Sequence, residues 1–274
     1  MIDNVVALYS IMDDLLKAIG HREDFRGELT DAEVITTALT AALYFGGNLE
    51  TSRDFMLQTG LMPRMLSRSR WCRRLHRVAD LTLSLFHQLG LVLKQANAST
   101  QYLLDSFPVP VCDNIRIRRC RIVRSEEFRG KIASKRRYFY GVRVHVLATA
   151  SGTPVELAFL PGRANDTRGL GVLPIELPAG SEVLMDSAYT DYSAEDAAKE
   201  ADQITFATCR KKNSQRREEP AQEYYKALMR KRIETVFSQI TSWFPRHIHA
   251  VSLRGFLMKV SFFILAFTLD QALI

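Results

Sequence analysis

The chain has 274 residues, 47% of them hydrophobic, with a formal net charge of +7 and a pI of about 9.3. That length holds one large domain or two modest ones, and that apolar content excludes a disordered chain. The positive balance points to polyanionic partners if the charge is clustered, and to a merely basic soluble protein if it is not.

Cys72, Cys112, Cys120 and Cys209 have no CxxC spacing. Neither a zinc site nor a disulfide framework is expected, which fits a reducing compartment. Asp3, Asp13 and Asp14 make the first residues unlike a secretion signal. The most apolar run, VSFFILAFTLDQALI, is broken by Asp270 and too short to span a bilayer. A buried carboxy-terminal helix is expected there, and the bacterial cytoplasm, near the nucleoid, is the expected location.

Residues 1 to 96 read as all helix. Apolar residues at 5, 8, 12, 15, 16 and 19 form a helical stripe that stops at Gly20. LTDAEVITTALTAALYFGG opens with a capping box, Thr30 and Glu33, and ends in Gly46-Gly47. A short helix follows to Gly60, and a long one is expected from about Arg70 to Ala96. Its Arg70, Arg73, Arg74 and Arg77 share one face, opposite Trp71, Leu75 and Val78. A solvated charged face is the bland reading, and phosphate contact by a helix-turn-helix-like DNA-binding domain is the functional one. The small polar stretch 97 to 101 reads as a linker, leaving 102 to 274 as a second domain.

LLDSFPVPVCDN reads as a buried strand, about 103 to 112, that delivers Asp105. A basic stretch follows, in which ten of the 23 residues from Ile115 to Arg137 are Lys or Arg. Arg116, Arg118, Arg119, Arg121, Lys135, Arg136 and Arg137 are its candidate DNA contacts, favoured over a solvated charge run because the run follows a candidate catalytic acid. Residues 138 to 160 alternate as a hairpin with its turn at Ser151-Gly152. A helix from about Asp166 to Leu173, a strand ending at Asp186, a helix from 193 to 200 with Ser193 as its cap, and the strand QITFATC come next. The loop 210 to 220 carries Arg210, Lys211 and Lys212 and reads as a mobile segment facing the same polyanion. A helix from about Ala221 to Phe244 carries Arg230, Lys231 and Glu234, and a final helix covers roughly 252 to 272. This order means an α/β domain, a mixed sheet flanked by helices, preceded by an all-helical domain.

Asp105 and Asp186 each end an apolar strand, and Glu234 sits on a helix. Singly, each has an ordinary reading: turn or cap for the aspartates, a surface ion pair for the glutamate. Together, between basic flanks, they suit phosphodiester cleavage, in which two Mg²⁺ ions activate the attacking oxygen and stabilise the leaving one. Asp166 reads first as a helix N-cap and second as a carboxylate supporting the site. Asp113 and Asp191 read as turn residues, and His145 as a packed sheet residue. His247 and His249, with no cysteine nearby, carry no zinc reading.

DSFPVPVCDNIRIRRCRI, KRRYFYGVRVHVLAT, PVELAFLPGRANDTRGL, MDSAYTDY and RKRIETVFSQI resemble the blocks of bacterial insertion-sequence DDE transposases, closest to the insertion-sequence family numbered 982 within the insertion-sequence-4-like group. The resemblance covers about 103 to 267. It implies a ribonuclease-H-like fold with a five-stranded mixed sheet. It places Asp105, Asp186 and Glu234 at the three metal-binding catalytic positions, with two Mg²⁺ ions that Mn²⁺ replaces. It also implies water as the nucleophile at the ends of the element, followed by attack of the freed 3′-hydroxyl on target DNA. The expected partners are double-stranded DNA, as terminal inverted repeats and target, and further copies of the chain in a dimer or DNA-assembled oligomer. Of the group's Tyr–Arg–Glu–Lys signature, Arg230 and Glu234 match. Ala227 and Thr241 stand at the other two positions, with Tyr224 and Tyr225 close by as stand-ins for the tyrosine. The rival readings are a structure-specific nuclease or resolvase of the same fold, and an inactive DNA-binding relic.

Overall fold

Apolar residues three and four positions apart make the first segment helical. In the computed structural model, which describes residues 1–24, 26–132, 136–211, 213–216 and 219–272, α1 (Ile2–Ala18) buries Val5, Leu8, Met12 and Leu16. Next, α2 (Asp31–Tyr44) opens on the expected capping box: Thr30 accepts from the Glu33 amide and Glu33 accepts from the Thr30 amide. It is buried almost throughout, so it is a core helix rather than a surface one. Then α3 (Leu49–Gln58) is capped by Asn48.

The expected long helix from 70 to 96 is two helices, α4 (Arg68–Arg77) and α5 (Ala79–Ala96), which break at Val78. Charge favours the break. Arg74, His76 and Arg77 crowd the last turn of α4, and Asp80 lies in the first turn of α5, each sign at the helix end whose dipole it complements.

Six strands form one sheet, one more than expected: β1 (Gln101–Asp113), β2 (Arg129–Ile132), β3 (Arg137–Thr149), β4 (Pro154–Pro161), β5 (Glu182–Met185) and β6 (Thr205–Thr208). The order is β2-β3-β1-β5-β6, and β4 also pairs with β3. The additional strand, β2, comes from the basic stretch: its four residues alternate Arg129, Gly130, Lys131 and Ile132 and pair antiparallel with the start of β3. Among the other pairings, β1 with β3 and β3 with β4 are antiparallel, and β1 with β5 and β5 with β6 are parallel. Parallel partner β5 covers only Gln101 to Leu104 of β1. The two prolines, Pro108 and Pro110, lie beyond that point, where their missing N–H groups forfeit no pairing to β5.

The helices of this part are α6 (Thr167–Leu170), α7 (Tyr192–Ala201) and α8 (Pro220–Ser242). Asp191, not Ser193, caps α7, accepting from the Ser193 and Ala194 amides; a carboxylate two residues earlier reaches both N–H groups. Pro220 starts α8, where a proline loses no hydrogen bond. Its buried face, Ile233, Val236, Phe237 and Ile240, includes an edge-on contact of Phe237 with Phe107 of β1, ring centres 6.2 Å apart. Finally α9 (Leu253–Ala272) is buried from Phe256 to Leu269 except for Leu257 and Lys259.

Two compact units result. One is Met1–Leu91 with Trp243–Ile274, and the other is Val92–Ser242. The expected second domain, 102 to 274, therefore divides, because its last helix is apolar on nearly every side and packs with α2. Phe263 of α9 fills the space above Gly47, where a Cβ would come within 2.7 Å of the ring. No helix among the described residues is long and apolar enough to cross a membrane.

Candidate active site

Backbone register brings the two aspartates together. Leu104 pairs with Met185 at the end of the parallel β1–β5 ladder, and the next residue on each strand is Asp105 and Asp186. Each carboxylate accepts the amide hydrogen of its following residue: Ser106 N–H to Asp105 at 2.7 Å and Ser187 N–H to Asp186 at 2.7 Å. Burial pushes the Asp105 carboxyl up to about 7. The Ser106 amide acts against that shift, and the negative charges of Asp186 and Asp166 add to it.

Arg230 ties the third acid to the pair. On α8 it lies one turn before Glu234. Its Nε is 3.3 Å from a Glu234 oxygen and its Nη1 is 3.7 Å from an Asp186 oxygen. With Arg230 between them, Asp186 and Glu234 are bridged rather than in mutual contact, and Glu234 remains exposed.

Asp166, expected first as a helix N-cap and second as a carboxylate supporting the site, makes the second kind of contact. It sits at the N-cap position of α6 without a capping hydrogen bond. Its side chain instead accepts from Ser106 Oγ at 2.5 Å and faces Arg143 at 3.3 Å, and Arg143 also donates to Ser106 Oγ at 3.0 Å. The carboxylate is engaged by the charged group nearby rather than by the amides of this one-turn helix. Behind this cluster His145 is fully buried, with Nδ1 2.8 Å from the Tyr189 hydroxyl. Gly169 makes room for it: a Cβ there would come within 2.4 Å of the ring. Desolvation lowers the His145 pKa to about 4 and raises that of Tyr189. Burial of His145 in the sheet agrees with the sequence reading; its tie to Tyr189 of the MDSAYTDY block had no sequence signal.

The candidate cations divide into exposed and internal groups. Arg74 donates to the Leu29 carbonyl at 2.7 Å and pairs with Asp31 at 2.9 Å. Arg210 pairs with the buried Glu195 through two bonds of 2.7 Å. That carboxylate, once desolvated, requires charged partners, and it also draws in Arg216 at 3.3 Å. Tyr192 lies under both guanidiniums. Part of the 210 to 220 loop is therefore anchored rather than loose. Arg70 pairs with Glu28 at 2.7 Å, and Arg137 with Asp113. Among the described residues no carboxylate lies at ion-pair distance from Arg73, Arg77, Arg116, Arg118, Arg119, Arg121, Arg136, Lys211 or Lys231, all of them exposed. Lys135 and Lys212 lie outside the described residues.

Neither stand-in for the signature tyrosine meets the acids. Tyr225 bonds Gln101 and Glu182 at the opposite ends of β1 and β5, and Tyr224 is 68% exposed.

A second group with metal-ligand spacing lies in the helical unit: His21, Glu23 and Asp31, whose ligand atoms are all within 4.8 Å of one another. His21 Nε2 and Asp31 are 2.9 Å apart, Glu23 accepts the Asp31 amide, and Arg74 already supplies positive charge. It reads as an ion-paired cap of α2.

The family model for the transposase DDE domain matches residues 95–247, more than half of the chain and every element that carries the three acids. The chain belongs to the transposase DDE domain family. Neither the curated proteins nor the solved structures contain a match. Membership makes the chain a DNA transposition enzyme in general terms, with DNA as its substrate class. The DDE domain match begins in α5 and ends just past α8, so it covers the sheet unit and stops short of α9.

Proposed function

We propose that the chain is an insertion-sequence transposase, of the family numbered 982. It cuts the phosphodiester at the ends of its element and joins the freed 3′-hydroxyl to target DNA. The observation that carries this reading is the β1–β5 register, which puts Asp105 and Asp186 side by side at the ends of neighbouring strands. The sheet order, with an antiparallel β1–β3–β4 meander followed by parallel β5 and β6, fits a ribonuclease-H-like fold.

The donor set fits divalent ions. Asp105, Asp186 and Glu234 offer only carboxylate oxygens, the ligands Mg²⁺ and Mn²⁺ prefer. The crowding of Asp105 by two other carboxylates is what a cation would offset. Bound at these residues, the ions would activate water and stabilise the leaving oxygen. The remaining work belongs to the chain. The strand ends fix the separation of the aspartates. Arg143 and Asp166 hold Ser106, and through its backbone Asp105. Arg230, positioned between Asp186 and Glu234, is at hand for a DNA phosphate.

For the DNA surface, Arg116, Arg118, Arg119, Arg121 and Arg136, Lys211 and Lys231, and Arg73 and Arg77 on α4 are retained. Arg70, Arg74, Arg137 and Arg210 each face a carboxylate and are set aside. The helical region would bind the terminal repeats of the element, and two or more copies would assemble on the DNA ends in the bacterial cytoplasm.

The test is cleavage of a duplex carrying the native flanks of the gene, with Mg²⁺ or Mn²⁺. Asp105→Asn is expected to abolish cleavage while duplex binding in metal-free buffer persists. Retained metal-dependent cleavage by Asp105→Asn overturns the assignment.

A further inference from the structure

On the β2–β3 side of the sheet lies a cleft of about 440 Å³ whose lining shares Arg143 with the catalytic cluster. Four of its walls are cations: Arg129, Lys131, Arg143 and Arg163. Glu126, the one carboxylate among its described lining residues, is already engaged, accepting from the Tyr140 hydroxyl at 2.6 Å and facing Arg129 at 3.6 Å. The cleft therefore keeps a clear positive excess.

Its shape is set by backbone. Gly130 of β2 and Gly162 just after β4 lie in close contact: a Cβ on Gly130 would come within 2.5 Å of the Gly162 carbonyl, and one on Gly162 within 2.6 Å of the Phe128 carbonyl. Side chains are thereby kept off the floor, which leaves depth between the cations. Arg129 stacks 4.8 Å over the Tyr138 ring. A stacked guanidinium keeps its N–H edge for an oxyanion and loses less freedom in binding one. The volume falls in the range of a small-molecule pocket, enough for one nucleotide unit.

One wall is shared with the catalytic cluster. Arg143 lines the cleft and donates to Ser106 Oγ at 3.0 Å, next to Asp105, and its Nε is buried without a hydrogen-bond partner. Arg143 thus joins the cleft to the Ser106–Asp166 group, one residue along β1 from Asp105.

From this geometry we infer that the cleft formed by Arg129, Lys131, Tyr138, Arg143 and Arg163 holds the sugar-phosphate backbone of the DNA strand that runs into the Asp105–Asp186 site. The inference rests on the transposase reading, but it concerns binding and is tested without cleavage. Its ligand is a phosphodiester within a strand. A free phosphate or mononucleotide shares the charge but not the continuation past Arg143.

The experiment measures fluorescence anisotropy of a labelled DNA duplex and a labelled single strand with the full chain, in metal-free buffer over a range of salt concentration. The variant Arg129→Ala/Lys131→Ala/Arg163→Ala removes three cations from the cleft mouth. A control, Lys17→Ala/Arg22→Ala/Lys199→Ala, removes the same charge elsewhere. The cleft variant is expected to bind about tenfold more weakly, with a log–log salt slope shallower by about two to three, while the control stays near wild type. Equal losses in the two variants overturn the inference, because net charge alone then explains them. The single variant Arg163→Glu gives the same comparison without touching β2 and keeps the test valid if the triple variant misfolds. Thermal shifts with inorganic phosphate and with deoxyadenosine monophosphate form a separate arm. A shift lost in the cleft variant, with DNA binding unchanged, reassigns the cleft to a free phosphate compound and also overturns the inference. Wild-type protein that binds no DNA in this assay contradicts the transposase reading itself and takes the inference with it.

Discussion

Asp105 and Asp186 each stand one residue past Leu104 and Met185, the last paired positions of two parallel neighbouring strands. Their spacing is therefore held by a buried hydrogen-bond ladder and not by loops. The same closeness crowds like charge, and Asp166 adds to it. A substitution that removes one charge and keeps the shape costs little stability. We expect Asp186→Asn to lose at least about a thousandfold in cleavage rate. Its melting temperature should stay within a few degrees of wild type, because the asparagine still accepts the Ser187 amide. A large drop in melting temperature by calorimetry would make Asp186 a structural residue instead.

The basic face of α4 separates into two kinds of arginine. Arg73 and Arg77 are exposed, whereas Arg74 is held by Leu29 and Asp31. Arg73→Ala/Arg77→Ala should change stability by no more than about 0.5 kcal/mol and lower the salt slope of duplex binding by about two. Arg74→Ala should cost about 2–4 kcal/mol, because it leaves a buried carboxylate short of its cation. Denaturant melts and anisotropy titrations on the two variants check both halves.

How much of this was legible in the sequence differs by element. The capping box at Thr30, the alternation of the β3–β4 hairpin and the stop at Asp186 are local signals, and local hydrogen bonding and burial realise them. Strand β2 was hidden because its alternation consists of cations and a glycine, which reads as a charge run until β3 supplies a partner. The place of α9 was hidden because its burial depends on α2, more than 200 residues earlier. The acids were visible as residues, but their geometry depended on pairing register, which a sequence does not print. The ties of Asp166 to Ser106 and of Arg230 to Asp186 join residues far apart along the chain, which local surroundings do not reveal.

His145 supplies a pH prediction. Its pKa lies near 4 in the folded protein against an ordinary 6.5, chiefly through desolvation. The unfolded chain therefore takes up this proton first, and acid favours unfolding through this residue. Its contribution is intact above about pH 6.5 and is lost progressively as the pH falls toward 4, to a total of about 3 kcal/mol. His145→Gln should flatten the stability–pH curve over that window relative to wild type. Curves that stay parallel would show that the ring is not desolvated in the folded state.

Lys94 and Glu156 form a buried ion pair at 2.5 Å, each side chain 3% exposed. Removing Lys94 takes an ion-pair partner 2.5 Å away from a carboxylate that is almost wholly buried. Lys94→Met should cost about 3–5 kcal/mol, and the double variant Lys94→Met/Glu156→Leu should regain most of that loss. Chemical denaturation of the two single variants and the double variant gives the coupling energy. Additive losses would place the two charges in separate environments.

The central claim is that Asp105 is part of a metal-dependent cutting site. The most direct measurement compares wild type with Asp105→Asn on a duplex carrying the flanks of the gene, with Mg²⁺ or Mn²⁺ and with chelator. The account predicts nicking by wild type only when metal is present, and none by Asp105→Asn at equal duplex binding. Nicking by Asp105→Asn at the wild-type rate would contradict it.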